Sequence, residues 1–138
     1  MTALQCRADV TICRDCIGWL RERAGVLDVT ATLPVKDMRE AIAFYETAGF
    51  DVRSYDDGFA FVHFEETSVF DLGLEVTIDP SSNRAGCYIV VPDVDAWHRR
   101  LSAASVPVTP IEHKPWGMRE FSLTDPSGNR LRIGRSPD

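Results

Sequence analysis

The order strand, helix, three strands occurs twice in this 138-residue chain, at an offset of 56 positions that places Asp93 over Asp37. A chain that repeats such an order is committed to two copies of one supersecondary unit, each with an apolar face that the pairing must cover. In the first copy an extended run at 29–35 leads to Asp37 and Glu40, which have the spacing of a helix capping box. Met38, Ala41, Ile42, Tyr45 and Ala48 then recur on one helical face, and Gly49 ends the helix. Strand-like runs follow at 50–55, 59–64 and 68–75, the first two joined by Asp57-Gly58, a tight-turn pair. In the second copy a strand at 86–91 precedes Asp93, which caps a helix bearing Val94, Trp97, Leu101 and Ala104. Strands at 106–111, 118–124 and 130–135 complete it, with Asp125-Pro-Ser-Gly128 as a turn. The expected fold is α+β: two paired βαβββ modules, at 28–79 and 84–136, forming a cupped mixed sheet within a domain spanning 28–138.

Composition fits one soluble domain, with 44% apolar and 26% charged residues, and that length is enough to bury a core. No run approaches the roughly 20 apolar residues of a membrane span. Gln5, Arg7 and Asp9 interrupt any secretion-signal pattern, so a cytoplasmic location is expected. The net charge of −6 argues against nucleic acid and against an anionic membrane surface as partners. It favours a neutral or cationic small molecule. The acids are concentrated: residues 51–79 hold eight of them (Asp51, Asp56, Asp57, Glu65, Glu66, Asp71, Glu75, Asp79) against one base, Arg53. Two explanations stand for that stretch, a solvated surface of turns and outer strand faces or a local field that recruits a cation.

Three of the four cysteines, Cys6, Cys13 and Cys16, lie in residues 1–27, outside the repeat. Cys13-Arg-Asp-Cys16 has zinc-knuckle spacing, but a structural zinc site needs four ligands and no second pair is present. Val10, Cys13, Ile17 and Leu20 recur at helical spacing, so the segment reads better as an amphipathic helical extension over 9–24, closed by Gly25. A zinc-knuckle interaction protein remains an alternative reading of those cysteines.

Lys114-Pro-Trp-Gly-Met-Arg-Glu-Phe121 followed by Asp125-Pro-Ser-Gly-Asn129 is similar to the C-terminal motif of the bleomycin-binding resistance proteins. Leu33-Pro-Val-Lys-Asp37, Ala43-Phe-Tyr45 and Asp56-Asp-Gly-Phe59 resemble the same family at corresponding places. Paired βαβββ modules characterise its parent, the vicinal oxygen chelate superfamily, which also contains glyoxalase I, extradiol dioxygenases and fosfomycin-resistance enzymes. Metal-dependent members carry His or Glu ligands on four strands, and those positions fall at or near Thr30, Asp71, Cys87 and Arg132. A guanidinium repels a cation and threonine is a poor transition-metal ligand, which leaves Asp71 and Cys87, too few for a site. Of the histidines, His98 is expected on the polar side of its helix, His113 before a loop, and His63 on a strand face with Phe59 and Phe61. No catalytic constellation, metal or cofactor is therefore expected.

The resemblance implies instead a drug-binding groove lined by Tyr55, Phe59, Phe61, Tyr88 and Trp116. Trp116 and Phe59 correspond to the aromatic pair that sandwiches the drug's planar bithiazole, one ring from each subunit of a homodimer. Gly117 would permit close approach of the chain to a ligand. Arg119 and Glu120 read either as groove hydrogen-bonders or as ordinary strand-surface residues. Asp71 reads either as a cleft carboxylate for an ammonium or guanidinium, or as a surface acid; Phe61 and Tyr88 read equally as core. The expected activity is stoichiometric sequestration of a cationic aromatic antibiotic. A metal-dependent enzyme of the same superfamily is the alternative.

Overall fold

The computed structural model describes residues 28–135; the expected N-terminal helix and its three cysteines lie outside the described residues. Ten elements follow in chain order: β1 (Thr32–Val35), α1 (Met38–Thr47), β2 (Asp51–Asp56), β3 (Phe59–Phe64), β4 (Thr67–Leu74), β5 (Gly86–Val90), α2 (Val94–Ala103), β6 (Glu112–His113), β7 (Arg119–Thr124) and β8 (Arg130–Arg135). They form two four-stranded mixed sheets of identical topology, β1-β4-β3-β2 and β5-β8-β7-β6, each with a parallel edge pair, β1 with β4 and β5 with β8. These are the two βαβββ modules that the repeat requires.

Each helix starts where a short acid can satisfy a free N–H. Asp37 accepts from the Glu40 N–H at 3.0 Å and Asp93 from the Ala96 N–H at 3.0 Å. The Glu40 carboxylate, the other half of the expected capping box, pairs with Lys36 at 3.3 Å instead. The apolar stripes read from the sequence are the buried ones: Met38, Ala41 and Tyr45 on α1, Val94, Trp97 and Leu101 on α2. α1 covers Leu33, Val35, Ala60, Val62, Phe70 and Leu72, the inward positions of the first sheet, all nearly inaccessible to solvent. In the second sheet Phe121, Leu123, Leu131 and Ile133 are buried in the same way.

One strand departs from expectation. The run 106–111 was expected to pair, but β6 is confined to Glu112–His113. Pro107 and Pro110 have no N–H to offer a ladder, so regular pairing begins only beyond the second of them. Thr109 makes the isolated link to β7, its N–H donating to the Ser122 carbonyl at 2.9 Å and its hydroxyl accepting from the Ser122 N–H at 2.8 Å.

The modules are joined in two places. Trp97 of α2 packs on Phe50 and Phe64 of the first module, and the Arg100 guanidinium lies 4.1 Å from the Trp97 ring centre and 4.9 Å from that of Phe64. The second joint is polar and buried. The β7–β8 turn carries Asp125, whose carboxylate accepts the Tyr45 hydroxyl of α1 at 2.6 Å and the N–H groups of Ser127 and Asn129, each at 2.9 Å. From the same turn the Asn129 amide donates to the Pro34 carbonyl at 2.7 Å, and the Ser127 hydroxyl accepts from the Lys36 N–H at 2.9 Å. Gly128 holds φ at +88°, and a side chain there would collide with the Pro80 carbonyl.

Tyr45→Phe should therefore lower stability by about 1.5–3 kcal/mol in urea unfolding, since it strips a donor from a buried carboxylate without altering apolar packing. Burial, and then the Asp125 charge, push the Tyr45 phenol far above its ordinary range. The proton it keeps stabilises the fold fully below about pH 10, where the unfolded chain also keeps it, and that contribution fades as pH rises further. The Phe variant should lose stability less steeply than the wild type above pH ~10.

Candidate functional site

Strand alternation gives each sheet a second face, turned away from its helix. On the first sheet Thr32 stands opposite Asp71, Asp71 opposite Phe61, and Phe61 opposite Arg53, so these residues share the open face. Phe59, two residues before Phe61, lies on it as well. Its ring meets Phe61 edge-on with centroids 5.4 Å apart, and Tyr55 meets Phe61 the same way at 6.3 Å. Tyr55 is 73% exposed and Phe61 36%, so Phe61 is not a core residue.

His63 belongs to this face too, and its Nδ1 is buried without a hydrogen-bond partner. Burial pushes the Asp71 carboxyl above its ordinary range, and the neighbouring His63 partly offsets this. Tyr55, Phe59, Phe61 and Asp71 are thus brought together, with His63 as a member that alternation alone had signalled.

On the second sheet Tyr88 stands opposite Arg132 and Ser122 opposite Arg132 on its other side, with Glu120 two residues along the same face. The Tyr88 hydroxyl donates to Glu120 at 3.2 Å, and the Arg132 guanidinium carbon sits 5.0 Å from the Tyr88 ring centre. Trp116 and Gly117 lie in the connection between β6 and β7. Pro115 leads a turn in which the Gly117 N–H donates to the Lys114 carbonyl at 2.9 Å, with Gly117 at φ +95°. That turn lifts the Trp116 ring off the domain, 61% exposed. Among the described residues, no ring contact connects Trp116 or Tyr88 with the aromatic group of the first sheet.

Arg119 goes elsewhere. Its position in β7 has the parity of Phe121 and Leu123, so it reaches back to α2 and holds Asp95 through two nitrogens at 2.7 and 3.3 Å. The Arg119 guanidinium also keeps the Asp95 carboxyl below the usual carboxylate range. Glu120, one residue on, points to the Tyr88 side of the sheet, where it is buried and accepts the Tyr88 hydroxyl.

The four positions read as vestigial metal ligands do not form a donor set. Cys87, one of the two positions left as plausible ligands, lies opposite Leu131, on the helix side of the second sheet. There burial pushes its thiol up, away from the thiolate a metal needs. Thr30 precedes β1 and is exposed, and Arg132 brings a positive charge to the open face. His98 packs edge-on against Phe121 at 4.9 Å and contacts the Thr109 carbonyl at 3.0 Å, rather than facing solvent as expected. His113 contacts Arg119 at 3.0 Å. Among the described residues no group of three or more His, Cys, Asp or Glu side chains could hold a metal ion.

The raised Asp71 carboxyl has a measurable consequence. A proton held more tightly in the folded state favours folding below the ordinary carboxyl value, and that advantage is lost as pH rises through the raised one. Above both, the ionised carboxylate costs stability. Asp71→Asn should raise the thermal midpoint at neutral pH, and the gap from wild type should close in acid, below about pH 4.

Comparison with known proteins places this geometry in a family. Residues 27–133 match the Glyoxalase/Bleomycin resistance protein/Dioxygenase superfamily. A bleomycin resistance protein of Klebsiella pneumoniae is 26% identical over 112 residues, covering 75% of this chain and 88% of that protein. The crystal structure of a bleomycin-binding protein complexed with bleomycin superposes with a TM-score of 0.74 at 22% identity, covering 80% of this chain and 99% of the other. The bleomycin-binding protein of the producer Streptomyces verticillus, complexed with copper(II)-bleomycin, superposes with a TM-score of 0.68 at 24% identity, covering 82% and 97%. At these identities the superpositions establish the fold, and the match over 27–133 establishes membership: this chain belongs to the Glyoxalase/Bleomycin resistance protein/Dioxygenase superfamily.

Proposed function

We propose that this chain sequesters a cationic aromatic antibiotic of the bleomycin type, stoichiometrically and without a metal or cofactor, as a cytoplasmic homodimer. One observation carries the reading. Tyr55, Phe61 and Trp116 hold large aromatic surfaces in solvent, and the Asp71 carboxylate shares the open sheet face of Tyr55 and Phe61. Aromatic rings left in water are costly unless something stacks on them, and a flat ligand does so at little cost in shape. Asp71, between Thr32 and Phe61, supplies the charge for an ammonium or guanidinium group. The bleomycin-binding relatives support the class of ligand.

The proposed dimer follows from the separation of the two ring sets. Phe59 and Trp116 belong to different modules, so a second copy that presents its Trp116 to Phe59 completes the sandwich. Gly117 keeps the turn slim where the ligand passes, and Glu120 and Tyr88 border the groove from the second sheet. In this reading Arg119 acts indirectly, by holding β7 to α2.

Calorimetric titration with bleomycin tests it. Trp116→Ala should weaken binding by more than about tenfold, ~1.4 kcal/mol, with little change in the unfolding midpoint, because the residue is largely exposed. Phe59→Ala should weaken it less, and binding should fall as salt is raised. An absence of heat with bleomycin, together with no protection of DNA from drug-induced cleavage, would overturn the assignment.

A further inference from the structure

The second sheet carries a cluster that the drug-binding reading does not use. Around Gly86 the alternation of the chain places Arg84, Gly86 and Tyr88 on one face, and β8 adds Arg130 opposite Gly86 and Arg132 opposite Tyr88. Gly86 contributes no side chain, and a Cβ there would collide with the backbone of Arg130. Beside this close backbone approach lies a hollow of about 290 Å³ whose lining includes Arg84, Arg130, Arg132 and Tyr88. No carboxylate lines it, although the chain has 21 acids against 15 bases.

The nearby acids are otherwise engaged. Glu120 accepts the Tyr88 hydroxyl, and Glu112, whose carboxyl feels Arg130, is held by Lys114 at 2.7 Å. Arg84, Arg130 and Arg132 enter no ion pair among the described residues. Tyr88 acts as a wall: its ring supports the Arg132 guanidinium at 5.0 Å and directs it along the sheet. Three like charges converging on one hollow repel each other, and a dianion seated among them removes that repulsion while receiving forked N–H donors.

We infer that Arg84, Arg130 and Arg132 form an oxyanion site that takes phosphate or the phosphoryl group of a small monoester. The size agrees. The hollow has roughly ten times the ~30 Å³ share of one water molecule, room for a tetrahedral oxyanion with a short organic substituent but not for a drug-sized ligand. Its charge is opposite to that of Asp71 on the first sheet; Tyr88 is shared with the proposed drug groove, but the arginines are not, and oxyanion binding does not depend on that reading.

The test is a titration of the full chain, isotopically labelled, with inorganic phosphate and with phenyl phosphate, followed by amide and arginine side-chain NMR at constant ionic strength. Saturable shifts confined to residues 84–88 and 130–132 are expected. Arg132→Gln and Arg84→Gln should each weaken binding about tenfold, one charge-assisted hydrogen bond's worth. These side chains are exposed, so the unfolding midpoints of both variants should match the wild type. Tighter binding of phenyl phosphate identifies an organic monoester as the ligand, and equal binding identifies the free oxyanion. Shifts that fail to saturate, that scatter over the basic residues of the whole surface, or that persist undiminished in both variants would overturn the site. No drug enters the measurement, so its failure and that of bleomycin binding are separate results.

Discussion

The Asp125 carboxylate holds the two halves of this molecule in register. Buried in the β7–β8 turn, it accepts the Tyr45 hydroxyl from the first module and N–H groups of Ser127 and Asn129 from its own turn. A charge removed from water is tolerable only when its lone pairs are filled, and here donors reach both oxygens. Ser127 and Asn129, fixed by that carboxylate, then reach Lys36 and Pro34 at the end of β1. Asn83, from the segment between the modules, adds bonds to the Ser127 carbonyl and the Asn129 side chain. Helix, strand end, linker and hairpin thus meet at one five-residue turn. Apolar packing of Trp97 on Phe50 and Phe64 brings the modules together, but it has no direction; the polar network selects one arrangement.

Much of the fold was legible because it is written in local chemistry. Asp37 and Asp93 announced their helices through side chains that cap whatever the tertiary context, and the stripes through Tyr45 and Trp97 follow from helical geometry alone. What could not be read was whatever depends on the partner across a gap. Asp125-Pro-Ser-Gly-Asn129 looked like a turn and is one, yet its larger role needs Tyr45, 80 residues away, to be known as a neighbour. The short β6 was a different failure. Pro107 and Pro110 stood in plain view, and the missing N–H groups outweighed the β-propensity of Val106, Val108 and Ile111.

At the site the alternatives left open by the sequence were alternatives of parity. A strand places side chains on two faces with period two, so an offset of one residue exchanges a cleft group for a core group. Cys87 and Tyr88 illustrate the exchange: the cysteine packs toward Leu131 and the tyrosine takes the open face. Arg119 and Glu120 divide in the same way, one to Asp95 and the other to Tyr88. Alternation within β3 grouped Phe59, Phe61 and His63, whereas Tyr55, on β2, was named through the family resemblance. The basic hollow was not, because Arg84 and Arg130 are 46 positions apart in the sequence and converge only through the β5–β8 pairing.

Net charge, the bluntest feature of the sequence, resolves into local fields of opposite sign. Most of the acids in residues 51–79 serve the backbone or each other's partners: Asp56 accepts the Gly58 N–H, Asp79 the Ser81 N–H, and Asp51 pairs with Arg53 at 3.0 Å. Exposed pairs and turn caps of this kind contribute little field at a distance, being screened within about 10 Å. Asp71 differs because it stands opposite Phe61 on the sheet and is half-buried, and burial pushes its carboxyl up. Arg132 differs for the mirror reason, held against Tyr88 with no carboxylate lining its hollow. The open faces of the two sheets thus carry charges of opposite sign, Asp71 on the first and Arg132 on the second.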